Sequence, residues 1–297
     1  MRVLVIGSTG VLGREAVPRL VAAGHKVTGL ARNPERARVV EGLGIDAVVG
    51  DLFDAESVAD ALVGQEAVLN LATRIPATPR TMLKGMAEND RVRAEGSRAL
   101  VAAALAANDV RVIVQEGVSF VYADGGDAEL DEDAPLDPAG PTRSSIEAHA
   151  NVARFAESDG RVGVRLRIGA MIGDEPFGRM LVRLAKFRMP VLFGDPAGWF
   201  TIIHPSDAAA GAVAALAAPS GVYNVGATPV RKSEIARTVA EAAGVRKARV
   251  LRVTLAPGQL KALARSQRVV STRLSETTGW RPARPLFGAE WFARSGK

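Results

Sequence analysis

Three glycines spaced three apart, Gly7-x-x-Gly10-x-x-Gly13, directly follow the apolar run Val3-Leu-Val-Ile6. At a strand-to-helix junction this spacing suits one kind of chemistry. Gly7 permits a tight bend, Gly10 lets bare backbone approach an anion, and Gly13 lets helix and strand close on each other. Free N–H groups around Thr9, Val11 and Leu12 then face two linked phosphates at the positive end of the helix. The predicted ligand is a dinucleotide. An acidic residue at the end of the second apolar run would bind the ribose hydroxyls of NAD(H) and repel a 2′-phosphate. The chain instead reads Gly29-Leu-Ala-Arg32-Asn-Pro-Glu-Arg36. Arg32 can stack on adenine and clamp a 2′-phosphate, so NADP(H) is expected in preference to NAD(H); the other reading is an ordinary exposed arginine ahead of a helix. Asp51, followed by Leu52 after the third run, can accept from the adenine amine or equally cap the next helix. Leu71, Ala72 and Thr73, ending the fourth run, complete the expected cofactor wall.

These residues need elements to hold them. Short β-branched runs at Val3–Ile6, Lys26–Leu30, Ala47–Val49, Ala67–Leu71, Arg111–Gln115 and Val162–Arg167 alternate with segments of helical period beginning near Leu12, Pro34, Ala55, Met86 and Ser144. Strands apolar on both faces require a sheet covered on both sides. The predicted fold is α/β, a doubly wound parallel sheet of Rossmann type over residues 1–172. A smaller α+β substrate region is expected over 173–297, with 205–218 packing back on the first. It includes helices over Phe177–Phe187 and Pro205–Ala218 and a strand over Val222–Val225. Two long connections, Thr73–Gly85 and Ala123–Arg143, leave the carboxyl ends of strands, where such sheets bind ligands.

The 297 residues are 47% hydrophobic and 24% charged, a globular composition. The net charge of +6 comes without a basic run of five, which points to an arginine-rich surface rather than nucleic acid. No cysteine is present, which removes disulfides, thiolate metal sites and cysteine nucleophiles; with three scattered histidines, no metal centre is expected. Met1-Arg2 and the following apolar run end at Gly7 after a strand's length, so a first strand is read and not an export signal. Ala208–Ala218 is too short to span a bilayer. A cytoplasmic monomer or homodimer acting on a small molecule is expected, with no membrane or nucleic-acid partner.

The chain resembles the short-chain dehydrogenase/reductase superfamily, in its extended or atypical branch of NAD-dependent epimerase/dehydratase-like proteins. The likeness rests on the glycine turn, Gly50-Asp51-Leu52, Asn70-Leu71-Ala72, Glu95-Gly96-Ser97, Val121-Tyr122, Leu166-Arg167-x-Gly169, Ile203-His204-Pro-Ser-Asp207, Tyr223-Asn224-Val225 and Thr278-Gly279-Trp280-Arg281-Pro282. It implies a Rossmann domain binding NAD(P)(H) and a small domain closing over substrate. It also implies a Tyr-x-x-x-Lys pair in which lysine lowers the tyrosine pKa for proton exchange. Here the chain departs: its two tyrosines, Tyr122 and Tyr223, are followed four residues later by Gly126 and Ala227. The segment Thr142-Arg-Ser-Ser-Ile-Glu-Ala-His149-Ala-Asn151 holds neither Tyr nor Lys, and the usual Ser/Thr position reads Val118, with Ser119 beside it.

Glu116, Ser119 and Tyr122 are the remaining catalytic candidates. Tyr122 can equally be a core residue with a satisfied hydroxyl. For substrate contacts the candidates are Arg74, Met171, Trp199 and His204. Arg74 can hold a carboxylate or sit on the surface, and His204 can cap the helix that follows it. Met171 and Trp199, with Phe200, Phe177 and Met180, line an apolar pocket or belong to the core. The leading expectation is an NADP(H)-dependent oxidoreductase passing hydride to or from a small apolar molecule with a nonstandard proton donor. A noncatalytic NAD(P)(H) sensor, or an isomerase, dehydratase or cyclase on the same scaffold, are the alternatives.

Overall fold

In this computed structural model, the described residues are 1–75, 82–252 and 258–293. The chain opens as β1 (Arg2–Ile6), α1 (Val11–Ala22), β2 (Lys26–Ala31), α2 (Pro34–Glu41), β3 (Asp46–Val49), α3 (Ala55–Leu62) and β4 (Ala67–Asn70). A long helical run follows, α4 (Met82–Arg91), a π turn over Val92–Gly96, and α5 (Ser97–Ala106). Next come β5 (Val112–Gln115), β6 (Glu129–Leu130), α6 (Arg143–Phe155), β7 (Val162–Ile168), β8 (Ala170–Met171), α7 (Pro176–Lys186), β9 (Pro190–Phe193), β10 (Trp199–Phe200), β11 (Ile202–Ile203) and α8 (Pro205–Ala214). The chain ends through β12 (Gly221–Val225), β13 (Val230–Arg231), α9 (Lys232–Ala243), β14 (Arg249–Leu251), α10 (Gly258–Ala264), β15 (Arg268–Val269) and α11 (Thr272–Thr278).

Seven parallel strands form the main sheet in the order β12-β7-β5-β4-β1-β2-β3, so the winding reverses between β1 and β4. Alternation along β1 explains its apolar sequence. Val3 and Val5 pack with Leu12, Ala16, Val17 and Leu20 of α1, while Leu4 and Ile6 pack with Val58 and Leu62 of α3 and Leu100 of α5. Both faces are therefore dry, as the doubly wound expectation requires. Alanines Ala208, Ala209 and Ala212 bring α8 onto the α1 face of the sheet. A third core, around Ile172, Leu181, Phe200, Ile235, Val239 and Trp291, lies among the later elements.

The structure refines the sequence expectation in three places. The strand over Val222–Val225, expected with the smaller region, pairs with β7 as the edge of the main sheet. The expected helix start near Met86 lies at Met82, inside the connection read as Thr73–Gly85; residues 76–81 of that connection lie outside the described residues. Within the Ala123–Arg143 connection β6 pairs with β15, and Leu136 bridges Tyr122 just ahead of it.

Candidate functional site

The site begins where β1 ends. Gly7 has a φ of +88°, and a Cβ there would lie 2.9 Å from the backbone of Ala72, so the glycine turn and the end of β4 are in direct contact. A Cβ on Gly13 would fall 2.2 Å from the Gly7 carbonyl oxygen and 2.6 Å from Ser8 Cα. A Cβ on Gly10 would meet only the Gly7 oxygen, at 3.2 Å. Gly10 N–H donates to that same oxygen at 3.0 Å, closing the turn. No side chain caps the first turn of α1, and Gly10 itself is exposed. Its donors therefore face outward, as an anion site requires. The residues present fit a dinucleotide diphosphate: a cradle that side chains would fill is kept open by three glycines.

Arg32 is exposed just beyond β2, and Asn33 beside it caps α2 by accepting from Arg36 N–H at 2.9 Å. Asp51 is exposed after β3; one carboxylate oxygen accepts from Phe53 N–H at 3.0 Å, while Asp54 is the residue that caps α3. Leu52 packs beneath Gly96, whose Cβ would lie 2.7 Å from a Leu52 methyl. Beyond Asn70, Leu71 is buried, Ala72 half-buried and Thr73 exposed. Asn70 ties the two strand ends together, donating to Gln115 Oε1 at 2.8 Å. Arg74 is exposed and paired with Glu88 at 2.6 Å, and its backbone N–H donates to Asn89 Oδ1.

The three catalytic candidates follow β5 but differ in freedom. Glu116 is 4% exposed, and both its oxygens are held by Arg93, at 2.8 Å from Nε and 2.9 Å from the second nitrogen. Tyr122 is fully buried. Its hydroxyl donates to Asn224 Oδ1 at 2.7 Å and accepts from Arg167 at 2.7 Å, and burial raises its pKa. Ser119 starts a single 3-10 turn and is buried; the preceding Val118 N–H donates to Ser145 Oγ on α6 at 3.1 Å.

The substrate candidates are dispersed. His204 caps α8, its Nδ1 lying 2.8 Å from Ser206 Oγ, and its ring meets Trp291 edge-on. Burial lowers its pKa. Met171 sits half-buried at the margin of the core under α8. Trp199 donates to Asp127 at 2.8 Å, with the Arg231 and Arg268 guanidinium groups 3.9 and 4.8 Å from its ring centroid. Sequence reasoning missed Arg93, whose side chain comes from the π turn, and His149, which lies behind Gly117. A Cβ on Gly117 would fall 2.4 Å from His149 Nε2 and 2.5 Å from Ser145 Oγ. Burial, with Arg167, Arg165 and Arg93 nearby, pushes the His149 pKa down to about 3. Only its place on the predicted α6 could have marked it. Among the described residues no group of three or more metal-ligating side chains occurs, and no helix is long and apolar enough to cross a membrane.

The family model described as the NAD dependent epimerase/dehydratase family matches residues 3–226. The chain belongs to that family. A 3-diazoavenalumate denitrifying reductase from a Streptomyces species is 31% identical over 96% of this chain and 97% of its own length. A 2-alkyl-3-oxoalkanoate reductase of Shewanella oneidensis is 43% identical over 24% of this chain and 18% of its own. Among solved structures, the UDP-glucose 4-epimerase of Thermotoga maritima with UDP-glucose superposes with a TM-score of 0.78, at 17% identity over 98% of this chain and 96% of that one. The Thermus thermophilus UDP-glucose 4-epimerase with NAD gives 0.76 at 24% identity, with the same coverage. These structures share the fold. Family membership, with a reductase matching over nearly its full length, places this chain among NAD(P)-binding oxidoreductases.

Proposed function

We propose that this protein is an NADP(H)-dependent reductase that delivers hydride to a small organic electrophile without a proton from an ionisable side chain. The observation that carries this reading is the uncapped, glycine-lined first turn of α1, with Arg32 exposed beyond β2 and no acid there. When bound, the nicotinamide supplies the hydride. The main-chain donors of Val11 to Gly13 hold the diphosphate, Arg32 holds the 2′-phosphate, and the end of β4 at Leu71–Thr73 forms the adjoining wall. In this reading the described elements beyond Gly173 cover the substrate, except α8 and β12, which belong to the sheet domain.

The tyrosines, the histidines and two buried glutamates are each buried, distant or already bonded. Of two tyrosines, Tyr122 is buried and doubly bonded, and Tyr223 donates to the Pro219 carbonyl. Of three histidines, His25 lies beside the amino terminus at the far end of the sheet, His149 is buried, and His204 caps a helix. Glu116 is occupied by Arg93, and Glu175 caps α7. An acceptor that needs no acid suits such a site, and the full-length relative's diazo substrate names one class. Hydride added to the terminal nitrogen of an arenediazonium gives an aryldiazene, which releases N2 as a C–H bond replaces C–N. Ser119 and the backbone beyond β5 orient the acceptor beside the cofactor site.

The test follows NADPH oxidation with arenediazonium carboxylates against ketone and enone panels. Consumption matched by N2 release, and a preference for NADPH over NADH inverted by Arg32→Glu, is the expected result. Tight NADPH binding with no turnover on any panel would replace the reductase by a cofactor sensor. Equal affinity for both cofactors before and after the Arg32 change would remove the NADP(H) assignment.

A further inference from the structure

Lys232, the first residue of α9, is completely buried. Its Nζ lies 2.9 Å from each of four backbone carbonyl oxygens, those of Phe193, Leu263, Ala264 and Arg265. An ammonium has three N–H groups, so four carbonyls share three donors. Above them the Phe200 ring stands with its centroid 5.7 Å from Nζ. Among the described residues no carboxylate pairs with it, and Asp124 and Asp195 act on it only from a distance. The charge is therefore balanced by carbonyl dipoles and an aromatic face, the coordination that proteins offer to a dehydrated monovalent cation. The backbone is shaped for it. Gly194 turns with φ +100°, and a Cβ there would fall 2.0 Å from the Ala264 oxygen and 2.7 Å from Nζ.

What the cage holds leads toward the candidate site on two routes. Phe200 stacks on Phe120 at 6.2 Å and 15°, next to Ser119. Arg265, whose carbonyl is in the cage, donates to the Tyr122 carbonyl at 3.0 Å and pairs with Asp137. Beside it, Ser266 N–H donates to Asp124, and Gly125 N–H donates to the Ser266 carbonyl at 2.9 Å. The segment 119–125 is thus fixed by elements that the ammonium gathers.

We propose that the carbonyls of Phe193, Leu263, Ala264 and Arg265 form a monovalent-cation site filled by the tethered ammonium of Lys232, which makes Lys232 a positioning residue for the segment 119–125. Emptied of its tether, the site takes free ammonium or potassium. Its link to catalysis rests on the reductase reading; its existence does not.

The experiment compares wild type, Lys232→Ala and Lys232→Met by thermal melting in sodium, potassium, ammonium and choline chlorides at equal ionic strength. Wild type is expected to melt alike in all four. Lys232→Ala, which opens space for an ion, melts about 10 °C lower in sodium and choline. At least half of that loss returns in ammonium or potassium. Lys232→Met, which fills the space with a thioether, melts low in every salt. In the alanine variant, hydrogen exchange at Ala123 and Gly125 quickens in sodium and slows again in ammonium. A folded Lys232→Ala with no cation selectivity, or a Lys232→Met as stable as wild type, overturns the proposal. If neither variant folds, reductive methylation of the wild type decides. Lys232 must stay unmodified in native protein while Lys26 and Lys261 react, and modification at their rate overturns the proposal. None of these readouts requires turnover, so an inactive protein would count against the reductase reading alone.

Discussion

His149 provides a titration whose size can be worked from its surroundings. The ring is 5% exposed and neither nitrogen makes a well-formed hydrogen bond, the Leu166 carbonyl being the nearby acceptor that favours its proton. Burial comes first and the arginines at 167, 165 and 93 follow, together holding the pKa near 3 against 6.5 in an unfolded chain. A histidine with its folded pKa depressed binds fewer protons folded than unfolded throughout the interval between those two values. Stability is therefore intact above about pH 6.5 and is lost as the pH falls below it. At about 1.4 kcal/mol per pH unit the whole gap is worth ~5 kcal/mol, of which ~2 kcal/mol has been lost by about pH 5. His149→Leu removes the titrating group and at most a weak contact with the Leu166 carbonyl, so near neutrality its cost is about 1 kcal/mol. Urea unfolding of both proteins at about pH 7.5 and about pH 5 measures the difference. Wild type should lose ~2 kcal/mol more than the variant between the two conditions. If the two fall in parallel, His149 is not a buried neutral imidazole, and its exclusion from proton chemistry fails.

Other outcomes follow from the same geometry. Gly13→Ala places a methyl 2.2 Å from the Gly7 oxygen, so the turn must shift; dinucleotide affinity by calorimetry should fall by about two orders of magnitude. Glu116→Gln leaves Arg93 charged and buried, at a cost of about 3–5 kcal/mol in urea midpoints, and Arg93→Met with Glu116→Leu together should recover most of that loss. Tyr122→Phe deprives Arg167 and Asn224 of a partner and should cost about 1–3 kcal/mol while NADPH turnover stays within a few-fold of wild type. A collapse of turnover with stability unchanged would make Tyr122 the acid after all.

The fold was legible because its signals are local. Apolar pairs such as Val3/Val5 and Leu4/Ile6 read as a strand buried on both faces, and the glycine turn lies within seven residues. The π turn at Val92–Gly96 was not legible, since its sequence continues a helical period. Nor was the membership of β12 in the main sheet, because Gly221–Val225 meets β7 only through tertiary pairing 57 residues away in sequence. The site divides in the same way. Asp51, Asp54 and His204 sit beside the helices they adjoin, so a capping reading could be weighed for Asp51 and His204 from neighbours alone. Glu116, by contrast, looks like a free acid after a strand until Arg93 arrives from 23 residues upstream. Lys232 likewise looks like a surface cation at a helix start, because its four acceptors are main-chain oxygens that carry no residue signature.

That distinction bears on how a site of this kind can work. Glu116 and Tyr122, which look reactive in the sequence, are each buried and bonded to a partner, and His149 behind them is buried as well. General acid catalysis needs a group that can reach the reacting atom with its proton, and these side chains are turned to partners within the protein. Such bonding makes rigid walls: Asn70 joins the ends of β4 and β5, Arg93 fixes Glu116 beyond β5, and Ser145 fixes Val118. On the proposed reading, a site built this way contributes through alignment and exclusion of water, so its rate should follow the electrophilicity of the acceptor. Among para-substituted diazonium acceptors, electron-withdrawing groups should raise turnover while pH between about 6 and 8 leaves it unchanged. A rate that instead tracks one ionisation in that range would place a titrating acid in the site and overturn the argument from locked residues.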